Sequence, residues 1–465
     1  MDEWGELPYP EEALLLTKDQ EMSQEVVDAK NTELNNMIEN EVFEIVPYVN
    51  QNTVSSRWII TEKFKDGARK VKARLVARGF EEDSSNLKTD SPTCNREFLK
   101  LVFEVASIMS WQLQSIDISA AFLQGNPIER DIFLRPPRDI FPKSEFWHLK
   151  RCIYGLNDAP RSWYERVKEV LLQLGGIISD YDSACYLWHN SDNSLCGILV
   201  SHVDDFAFCG DQNFQTKVIG GLVKRFRIST HDFNSFKYVG LDIFQSVNGI
   251  QVDQDAYIDT IKPINISQSR SMMKNDELSL EERDDLKRLT GQMIWVTSQT
   301  RPDLSFETCI MSNIGKNPKV NMLHVANKAL SKLKRNRVKL HFPSLGDYKK
   351  LSVIAYSDAT YASMDDGSSQ GGHIVFVKGE NGRVAPIIWQ SKRLDRVTKS
   401  PLASEALSLG EAADAGFLVS TLVQEIFRLP ALPKVICYTD NRSLTDTLVT
   451  TRLIKDKRLG VDVSR

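Results

Sequence analysis

The chain has 465 residues, of which 42% are apolar and 26% are charged, and its net charge is −4. A single hydrophobic core rarely grows past about 250–300 residues, so this length predicts two to four domains. Its apolar runs fall far short of the ~20 residues that span a bilayer, Met1 is followed by acidic residues, and the seven cysteines lack zinc-like spacing. These features argue against a membrane protein, a secretory signal and a zinc module.

The charge is distributed unevenly along the chain. Residues 1–40 carry eleven acids and two lysines, so the rest of the chain is net basic. Arg57–Arg78 contains eight basic residues against two acids, and Lys328–Lys339 contains six basic residues and no acid. Such patches suit a phosphate-binding groove, although each is equally typical of a solvated helix or strand face.

The N-terminal third begins with an acidic, proline-containing arm that we expect to be extended or poorly ordered. Apolar residues near a 3.6-residue period predict a helix over Ser23–Ile45. Arg57–Lys63 and Lys70–Val76 follow as strand-like runs around the turn signal Asp66-Gly67. This pattern predicts a basic β-hairpin.

The middle of the chain alternates between helical and strand-like patterns. The predicted elements are a helix over Arg96–Met109, a strand over Leu113–Ile118, a helix after Pro160 within Cys152–Leu174, a strand pair over Leu199–Phe208, and helices over Leu286–Thr297 and His324–Arg337. Pro343 and Gly346 mark a linker at His341–Tyr348.

Beyond this linker the pattern changes to strands, a helix and a further strand. The predicted strands are Leu351–Tyr356, Gly372–Val377, Ile387–Trp389 and Val435–Tyr438, with a helix over Ala403–Leu422. This order indicates a separate mixed α/β domain.

Two sets of acidic residues follow predicted strands. Asp204-Asp205 interrupts an apolar strand pair, and Asp117 ends the strand that begins at Leu113. Adjacent carboxylates in an apolar setting are costly unless positive charge lies between them, so convergence of the three would suit two Mg²⁺ ions about 3.5–4 Å apart. Taken alone, Asp-Asp is equally typical of an exposed turn.

The C-terminal region repeats this pattern. Asp358 and Asp440 end two strands, and Glu405 opens the helix between them. Acids at neighbouring strand ends with one from a helix predict a second two-metal hydrolase site, and Asp462 is a candidate fourth ligand. Each of these short sequences is also a common turn or cap.

Several segments resemble, in order, the reverse transcriptase of copia-type (Pseudoviridae) LTR retrotransposon Pol polyproteins. The segments are Val71–Phe80, Asp117–Gly125, Ile153–Arg161, His202–Asp205, Leu289–Trp295 and Thr300–Asp303. The C-terminal segments resemble the ribonuclease H of the same family, at Ser357-Asp358, Ser404-Glu405, Thr439–Asn441 and Val461-Asp462. The resemblance covers about residues 24–465.

The resemblance implies an α+β fold, namely a right-hand polymerase (fingers, palm, thumb) followed by a ribonuclease H-like α/β domain. We therefore expect an acidic arm at 1–22, fingers and palm at 23–250, thumb or connection at 251–345, and a ribonuclease H-like domain at 350–465. The family's ribonuclease H continues with a final helix, so we expect that domain to be truncated and Asp462 to be frayed.

The resemblance also implies roles for single residues. Asp117, Asp204 and Asp205 would hold the polymerase metals, and Asp358, Glu405 and Asp440 would hold those of the nuclease, with two Mg²⁺ per site and Mn²⁺ as a substitute. Lys72 and Arg74 would meet the triphosphate, and Phe122 would exclude a ribose 2′-hydroxyl. Phe122 could equally be a core residue. Phe236–Gly240 would grip the primer terminus or form an ordinary strand.

Two positions depart from the family pattern. His202 replaces a tyrosine before Val-Asp-Asp, and it could protonate near pH 6.5. Asp158 stands where the family has a glutamine beside the nucleotide, and it would repel a triphosphate unless a cation pairs with it. Arg161 is the nearest candidate in sequence.

The leading interpretation is an RNA- and DNA-directed DNA polymerase that also hydrolyses the RNA of a hybrid. The expected partners are an RNA template, a DNA primer, an RNA–DNA hybrid and dNTPs, without a membrane, and with a second copy or an integrase of the same polyprotein as a further partner. The expected location is a cytoplasmic virus-like particle with a nuclear phase. The alternative is a decayed or recruited fragment that binds nucleic acid without polymerising, and a nuclease alone would leave Asp117–Asp205 unexplained.

Overall fold

The computed structural model describes residues 14–15, 23–65, 68–138, 141, 145–313, 315, 317–364 and 366–449. The predicted arm, apart from Leu14–Leu15, and the predicted ligand Asp462 lie outside the described residues.

Strands and helices alternate along the whole described chain. The strands are β1 (Leu14–Leu15), β2 (Phe43–Pro47), β3 (Thr53–Lys65), β4 (Ala68–Ala77), β5 (Gln114–Ile118), β6 (Phe133–Arg135), β7 (Glu145–Leu149), β8 (Ile177–Ile178), β9 (Cys185–His189), β10 (Leu195–His202), β11 (Asp205–Gly210), β12 (Ile228–Phe233), β13 (Ser235–Tyr238), β14 (Leu241–Ser246), β15 (Gly249–Asp253), β16 (Leu340–Phe342), β17 (Ser352–Thr360), β18 (Gln370–Lys378), β19 (Val384–Arg393) and β20 (Val435–Tyr438). The helices are α1 (Gln24–Glu39), α2 (Arg96–Ile108), α3 (Ala159–Gln173), α4 (Gln212–Phe214), α5 (Gly220–Arg225), α6 (Asp255–Thr260), α7 (Gln268–Met272), α8 (Leu280–Gln299), α9 (Ser305–Ser312), α10 (Val320–Arg335), α11 (Pro401–Phe427) and α12 (Arg442–Val449).

Among the described residues the strands form four sheets. The first has the order β1-β3-β6-β7-β2 with β4 paired to β3, and the second has the order β12-β5-β11-β10-β9-β8. The third is β13-β14-β15-β16, and the fourth is β19-β18-β17-β20 with β17 and β20 parallel. The second sheet carries the predicted palm, and the fourth is a three-strand meander extended by a parallel strand, which is the predicted C-terminal α/β unit.

The first helix is shorter than predicted. It ends at Glu39, Asn40 caps it, and Glu41 takes a left-handed φ of 51° that stops helix propagation. Residues 43–45, which were predicted to be helical, instead belong to β2, which pairs with β7. The basic hairpin β3–β4 forms as predicted and packs against α1.

The predicted linker at His341–Tyr348 is wrong in its first part. Leu340–Phe342 forms β16, whose backbone pairs with β15 and closes the third sheet. Phe342 packs edge-on against Phe103 of α2 at 5.5 Å between ring centroids, and its carbonyl accepts a hydrogen bond of 2.7 Å from Ser107. This short apolar run therefore forms a strand because its backbone pairs with β15 and its Phe342 side chain packs against the buried helix α2.

One hydrophobic core joins the palm to the C-terminal unit. It runs from α2 through β13–β16 to β17, β18 and α11. Lys100 of α2 donates to the Ile387 carbonyl at 3.0 Å and lies 3.7 Å from the Trp389 ring centroid, and Glu425 of α11 accepts hydrogen bonds from Ser179 and the Asp180 backbone. The two units are therefore packed together directly.

The helix α11 is the core helix of the C-terminal unit. Among the described residues it is long and apolar enough to cross a bilayer by length and composition alone. It packs across β17 and β18, however, and buries one face, as a core helix of a globular domain does.

Candidate active sites

The palm hairpin brings the three predicted polymerase carboxylates to one end of its sheet. In the antiparallel pairing of β11 with β5, Asp205 lies opposite Asp117. Asp204 occupies the turn between β10 and β11, where Val203 has a left-handed φ of 57°. The Ile118 amide donates to the Asp204 carbonyl at 3.0 Å, which ties the turn to the strand that carries Asp117.

Electrostatics at this turn favour a bound cation. Burial raises the pKa of Asp204, and the neighbouring Asp117 carboxylate raises it further, while Arg74 and Lys72 lower it. Within the described ranges, the three palm carboxylates do not bring one oxygen each within 4.8 Å of the others. The fit to divalent metal is therefore one of donor chemistry and like-charge repulsion, since carboxylate oxygens are the ligands that Mg²⁺ prefers.

A basic and aromatic wall stands beside Asp204. The Arg74 guanidinium lies 5.3 Å from the Tyr154 ring centroid, and Tyr154 in turn lies 5.2 Å from Phe122. Burial raises the pKa of Tyr154 to about 12, so its hydroxyl stays protonated. Lys72 and Arg74 share one face of β4, because alternate residues such as Ala73 point into the core.

Tyr154 had not been singled out from the sequence, although it lies in the Ile153–Arg161 segment. The next residue explains why that segment sits so close to β4. Gly155 has φ +87°, and a Cβ there would lie 2.1 Å from the Ala77 carbonyl oxygen. The Ala77 amide donates to the Tyr154 carbonyl at 2.8 Å, so fingers strand and palm loop are joined through the backbone. Only glycine fits this junction.

Asp158 has a cationic partner, but it is not Arg161, the candidate named from the sequence. The Arg130 guanidinium donates to both oxygens of Asp158 at 2.6 and 2.9 Å and to Glu82 at 2.6 Å. Arg161 turns away and donates to Asp90 at 2.6 Å. Asp158 is thus held in a bidentate pair with an arginine 28 residues earlier, and this cation, which it shares with Glu82, offsets part of the repulsion expected for a nearby triphosphate.

The two basic patches have different surroundings. In the second, Lys339 pairs with Asp253 at 2.7 Å, Arg337 with Asp255 at 3.1 Å, and Lys332 with Glu307 at 2.5 Å. Three of the six basic side chains of Lys328–Lys339 are therefore paired with described acids, and a phosphate groove at this patch stays a prediction. The first patch keeps Lys72 and Arg74 beside the palm acids.

Within the segment Phe236–Gly240, the first three residues belong to β13, and Val239-Gly240 forms the turn to β14. Val239 and Gly240 both have positive φ, of 46° and 71°. The Tyr238 hydroxyl lies 3.4 Å from the Asp205 carbonyl and 3.5 Å from the Val200 carbonyl. The hairpin is consequently anchored on the strands that carry the palm acids, as a primer-holding element would need to be.

His202 is half-buried at the end of β10. Burial lowers its pKa below the ordinary value, so the imidazole is neutral at physiological pH. Protonation of His202 near pH 6.5, considered from the sequence, is thus disfavoured.

The C-terminal unit brings its three predicted acids into one cluster. Asp358 on β17, Glu405 on α11 and Asp440 after β20 each offer an oxygen within 4.8 Å of the others. Burial and, to a smaller extent, the neighbouring Asp358 and Asp440 carboxylates raise the pKa of Glu405 to about 7. One Glu405 oxygen is buried without a hydrogen-bond partner among the described atoms. A cluster of three acids that offers only oxygen ligands, one of them buried without a partner among the described atoms, fits a divalent cation.

Sequence comparisons place the chain among retroelement proteins. Residues 40–274 match the family model "Reverse transcriptase (RNA-dependent DNA polymerase)". The chain is 27% identical over 437 residues to the retrovirus-related Pol polyprotein from transposon RE1 of Arabidopsis thaliana, covering 88% of this chain and 29% of that protein. It is 28% identical to that of transposon RE2, and 24% identical to the transposon Ty1-GR2 Gag-Pol polyprotein of Saccharomyces cerevisiae. The chain thus spans less than a third of the length of these relatives.

Among solved structures, the chain is similar to the foamy viral protease-reverse transcriptase in complex with an RNA/DNA hybrid. The TM-score is 0.49 at 12% sequence identity, over 97% of this chain and 52% of that one.

Proposed function

The chain belongs to the reverse transcriptase family of copia-type LTR retrotransposon Pol polyproteins, and we propose that it copies RNA and DNA templates into DNA and hydrolyses the RNA of the resulting hybrid. The observation that carries the polymerase half is the pairing of Asp117 with Asp205 across neighbouring strands, with Asp204 on the turn between them. This arrangement suits nucleotidyl transfer, because it sets three carboxylates at one end of the palm sheet, close to the cations Lys72 and Arg74 and the Tyr154 ring.

Members of the reverse transcriptase family use divalent metal ions. We propose that Asp117, Asp204 and Asp205 hold two Mg²⁺, or Mn²⁺ in their place. Such ions lower the pKa of an attacking hydroxyl and stabilise charge on the leaving oxygen. The raised pKa of Asp204 supports this, since a carboxylate that is destabilised by burial and by Asp117 gains most from a bound cation.

The residues around the trio would handle the nucleotide. Lys72 and Arg74 would meet the triphosphate, where fixed cations offset the charge that develops in phosphoryl transfer. Phe122, supported by the Tyr154 ring, would close the space beside the sugar and so select deoxynucleotides. Asp158 would act in this pocket as a residue already paired with Arg130, whose charge lowers its repulsion of phosphate.

The C-terminal cluster supports the hydrolytic half of the proposal. Asp358, Glu405 and Asp440 would hold two Mg²⁺, and the substrate would be the RNA strand of an RNA–DNA hybrid, recognised through 2′-hydroxyls and groove shape. The activity would take place in cytoplasmic particles of such an element, with template, primer and dNTPs as partners.

Primer extension tests the polymerase half. The purified chain with Mg²⁺, dTTP and an oligo(dT) primer on a poly(rA) template should lengthen the primer, and Asp204→Asn should abolish extension. Asp232→Asn, which removes an acid from an exposed position of β12, is the matched control and should extend normally. If the wild type binds the primed template without extending it, the chain is a nucleic-acid-binding fragment; extension that survives Asp204→Asn would place the chemistry elsewhere.

A further inference from the structure

The edge strand β12 carries an irregularity beside the strand that holds Asp117. In its pairing with β5, Ile228 lies opposite Ile118 and Thr230 lies opposite Asp117. Two residues of β12 therefore span a single step of β5, and Ser229 is the extra residue between them. Such a β-bulge bends a strand and redirects a side chain, and bulges are common next to active sites.

The redirected side chain reaches a polymerase carboxylate. The Ser229 hydroxyl donates a hydrogen bond to one oxygen, Oδ1, of Asp117. Ser229 is exposed, so burial does not explain its position. We propose that Ser229 is a positioning residue that fixes the Asp117 carboxylate for metal binding; this inference rests on the proposed polymerase function.

The strand that carries Ser229 is tied to β5 on both sides of the bulge. Before it, the Arg227 carbonyl accepts a hydrogen bond of 2.9 Å from the Ser119 amide. After it, the His231 imidazole and the Gln114 side chain lie within hydrogen-bond distance, at 2.9 Å. The serine is thus held in a fixed relation to the backbone of Asp117, as a group that sets a rotamer must be.

A hydroxyl suits this position electrostatically. The hydrogen bond is charge-assisted, so it orders the carboxylate more firmly than a neutral pair would. It takes up Oδ1, so the other oxygen of Asp117 would be the metal ligand. Because serine adds no positive charge, it does not compete with a bound cation for the Asp117 carboxylate.

Threonine and valine at this position separate the hydroxyl from all other effects, because they have nearly the same shape and both suit an exposed strand. Loss of a group that orients a metal ligand typically lowers metal affinity or activity about 10–100-fold. We expect Ser229→Val and Ser229→Ala to lower kcat for single-nucleotide addition about tenfold, with the KM for dTTP changed less than about twofold. Ser229→Thr should restore kcat to within about threefold of the wild type.

Metal binding supplies a readout that does not need polymerisation. Mn²⁺ titrated into Asp358→Asn protein, in which the second site is weakened, should bind about tenfold more weakly in the Ser229→Val than in the Ser229→Thr background. Ser235→Ala, an exposed serine of the next strand, controls for a general effect of serine removal and should bind Mn²⁺ as the parent does. Thermal melting in EDTA establishes that all variants are folded.

Equal Mn²⁺ affinity and equal kcat in the threonine and valine variants would overturn the positioning role, whatever their absolute level. Failure of the proposed function is a separate result, because it would appear as a wild type that binds primed template and Mn²⁺ yet adds no nucleotide. In that case the Mn²⁺ comparison still decides whether Ser229 orders Asp117.

Discussion

The palm trio and the C-terminal triad each consist of three carboxylates, but the repulsion among these carboxylates is offset differently in the two sites. In the palm, Asp117 and Asp204 repel each other beside Arg74 and Lys72, whose charges oppose the rise in the pKa of Asp204. In the C-terminal unit, Asp358, Glu405 and Asp440 converge within 4.8 Å, and burial and the other two acids raise the pKa of Glu405 to about 7. The first site offsets acid charge with fixed cations, whereas the second must take up a proton or a metal.

This difference predicts how each site responds when metal is removed. The palm keeps its shape through backbone links such as the Ile118–Asp204 hydrogen bond and through Ser229. The triad has a buried carboxylate oxygen without a partner among the described atoms, so it is the more strained of the two when empty. The C-terminal unit should therefore depend on metal for stability, and the palm mainly for chemistry.

The largest predicted effect is a separation of the two activities. Asp117→Asn should lower nucleotide addition by at least about 1,000-fold while hydrolysis of a preformed hybrid changes less than about twofold, since removing a metal ligand removes the electrostatic stabilisation of the transition state. Asp358→Asn should do the reverse. Rates on one labelled hybrid measure both. Loss of both activities in either variant would mean that the two sites do not act independently.

Replacing Gly155 should damage the palm more than the C-terminal unit. Gly155→Ala puts a Cβ 2.1 Å from the Ala77 carbonyl oxygen at a φ of +87°, and it should lower the free energy of unfolding by about 2–4 kcal/mol. Gly382→Ala is the matched control, because Gly382 has φ +80° and no heavy atom within 4 Å of the added carbon. Gly382→Ala should lower the free energy of unfolding by about 1 kcal/mol, because only backbone strain contributes there. Equal losses in urea melts would mean that the fingers–palm contact is not tight.

The Arg130–Asp158 ion pair is a second place in the polymerase unit where a fixed cation offsets the charge of an acid. Arg130→Met leaves Asp158 and Glu82 without their shared cation, and it should raise the KM for dNTP about tenfold through repulsion of the triphosphate. Adding Asp158→Asn to this variant should recover most of the loss. Steady-state kinetics measure both, and no recovery in the double variant would show that Arg130 acts through the fold instead.

The smallest predicted effect concerns pH and Glu405. Between pH 4.5 and about 7 the folded Glu405 holds a proton that the unfolded chain has released, so the free energy of unfolding in EDTA should fall as pH rises through this window. At pH 8 the Glu405→Gln variant should be more stable than the wild type by about 1–2 kcal/mol, or by about 2–4 °C in Tm, because glutamine carries no charge. At pH 5 the two proteins should differ little in stability. Mg²⁺ should stabilise the wild type more than the variant. A difference in Tm between the two proteins that does not change with pH would contradict a raised pKa of Glu405 in the folded protein.

Much of the candidate sites could be predicted because their residues lie in or just after short strands. Asp117 and Asp358 lie near the ends of β5 and β17, Asp440 follows β20, and the spacing of Lys72 and Arg74 by two residues in β4 places both on one face. These inferences need only local geometry, which a sequence encodes through its period.

The features that could not be predicted depend on distant parts of the chain. Arg130 pairs with Asp158 because the fold brings a loop of the fingers to the start of α3, and no local pattern marks that meeting. The acids that pair with the second basic patch include Asp255, which lies 82 residues from Arg337. The bulge at Ser229 depends on how β12 meets β5, and register between distant strands is set by the completed sheet.

One experiment addresses the central claim, that the palm trio polymerises and the C-terminal triad hydrolyses on the same nucleic acid. A DNA primer and its RNA template carry different labels, and the wild-type chain is given Mg²⁺ and all four dNTPs. We predict that the primer lengthens and that the RNA shortens only where it has become hybrid. An RNA that is cut while the primer stays unextended, in Mg²⁺ and in Mn²⁺, would contradict the assignment of Asp117, Asp204 and Asp205 to polymerisation.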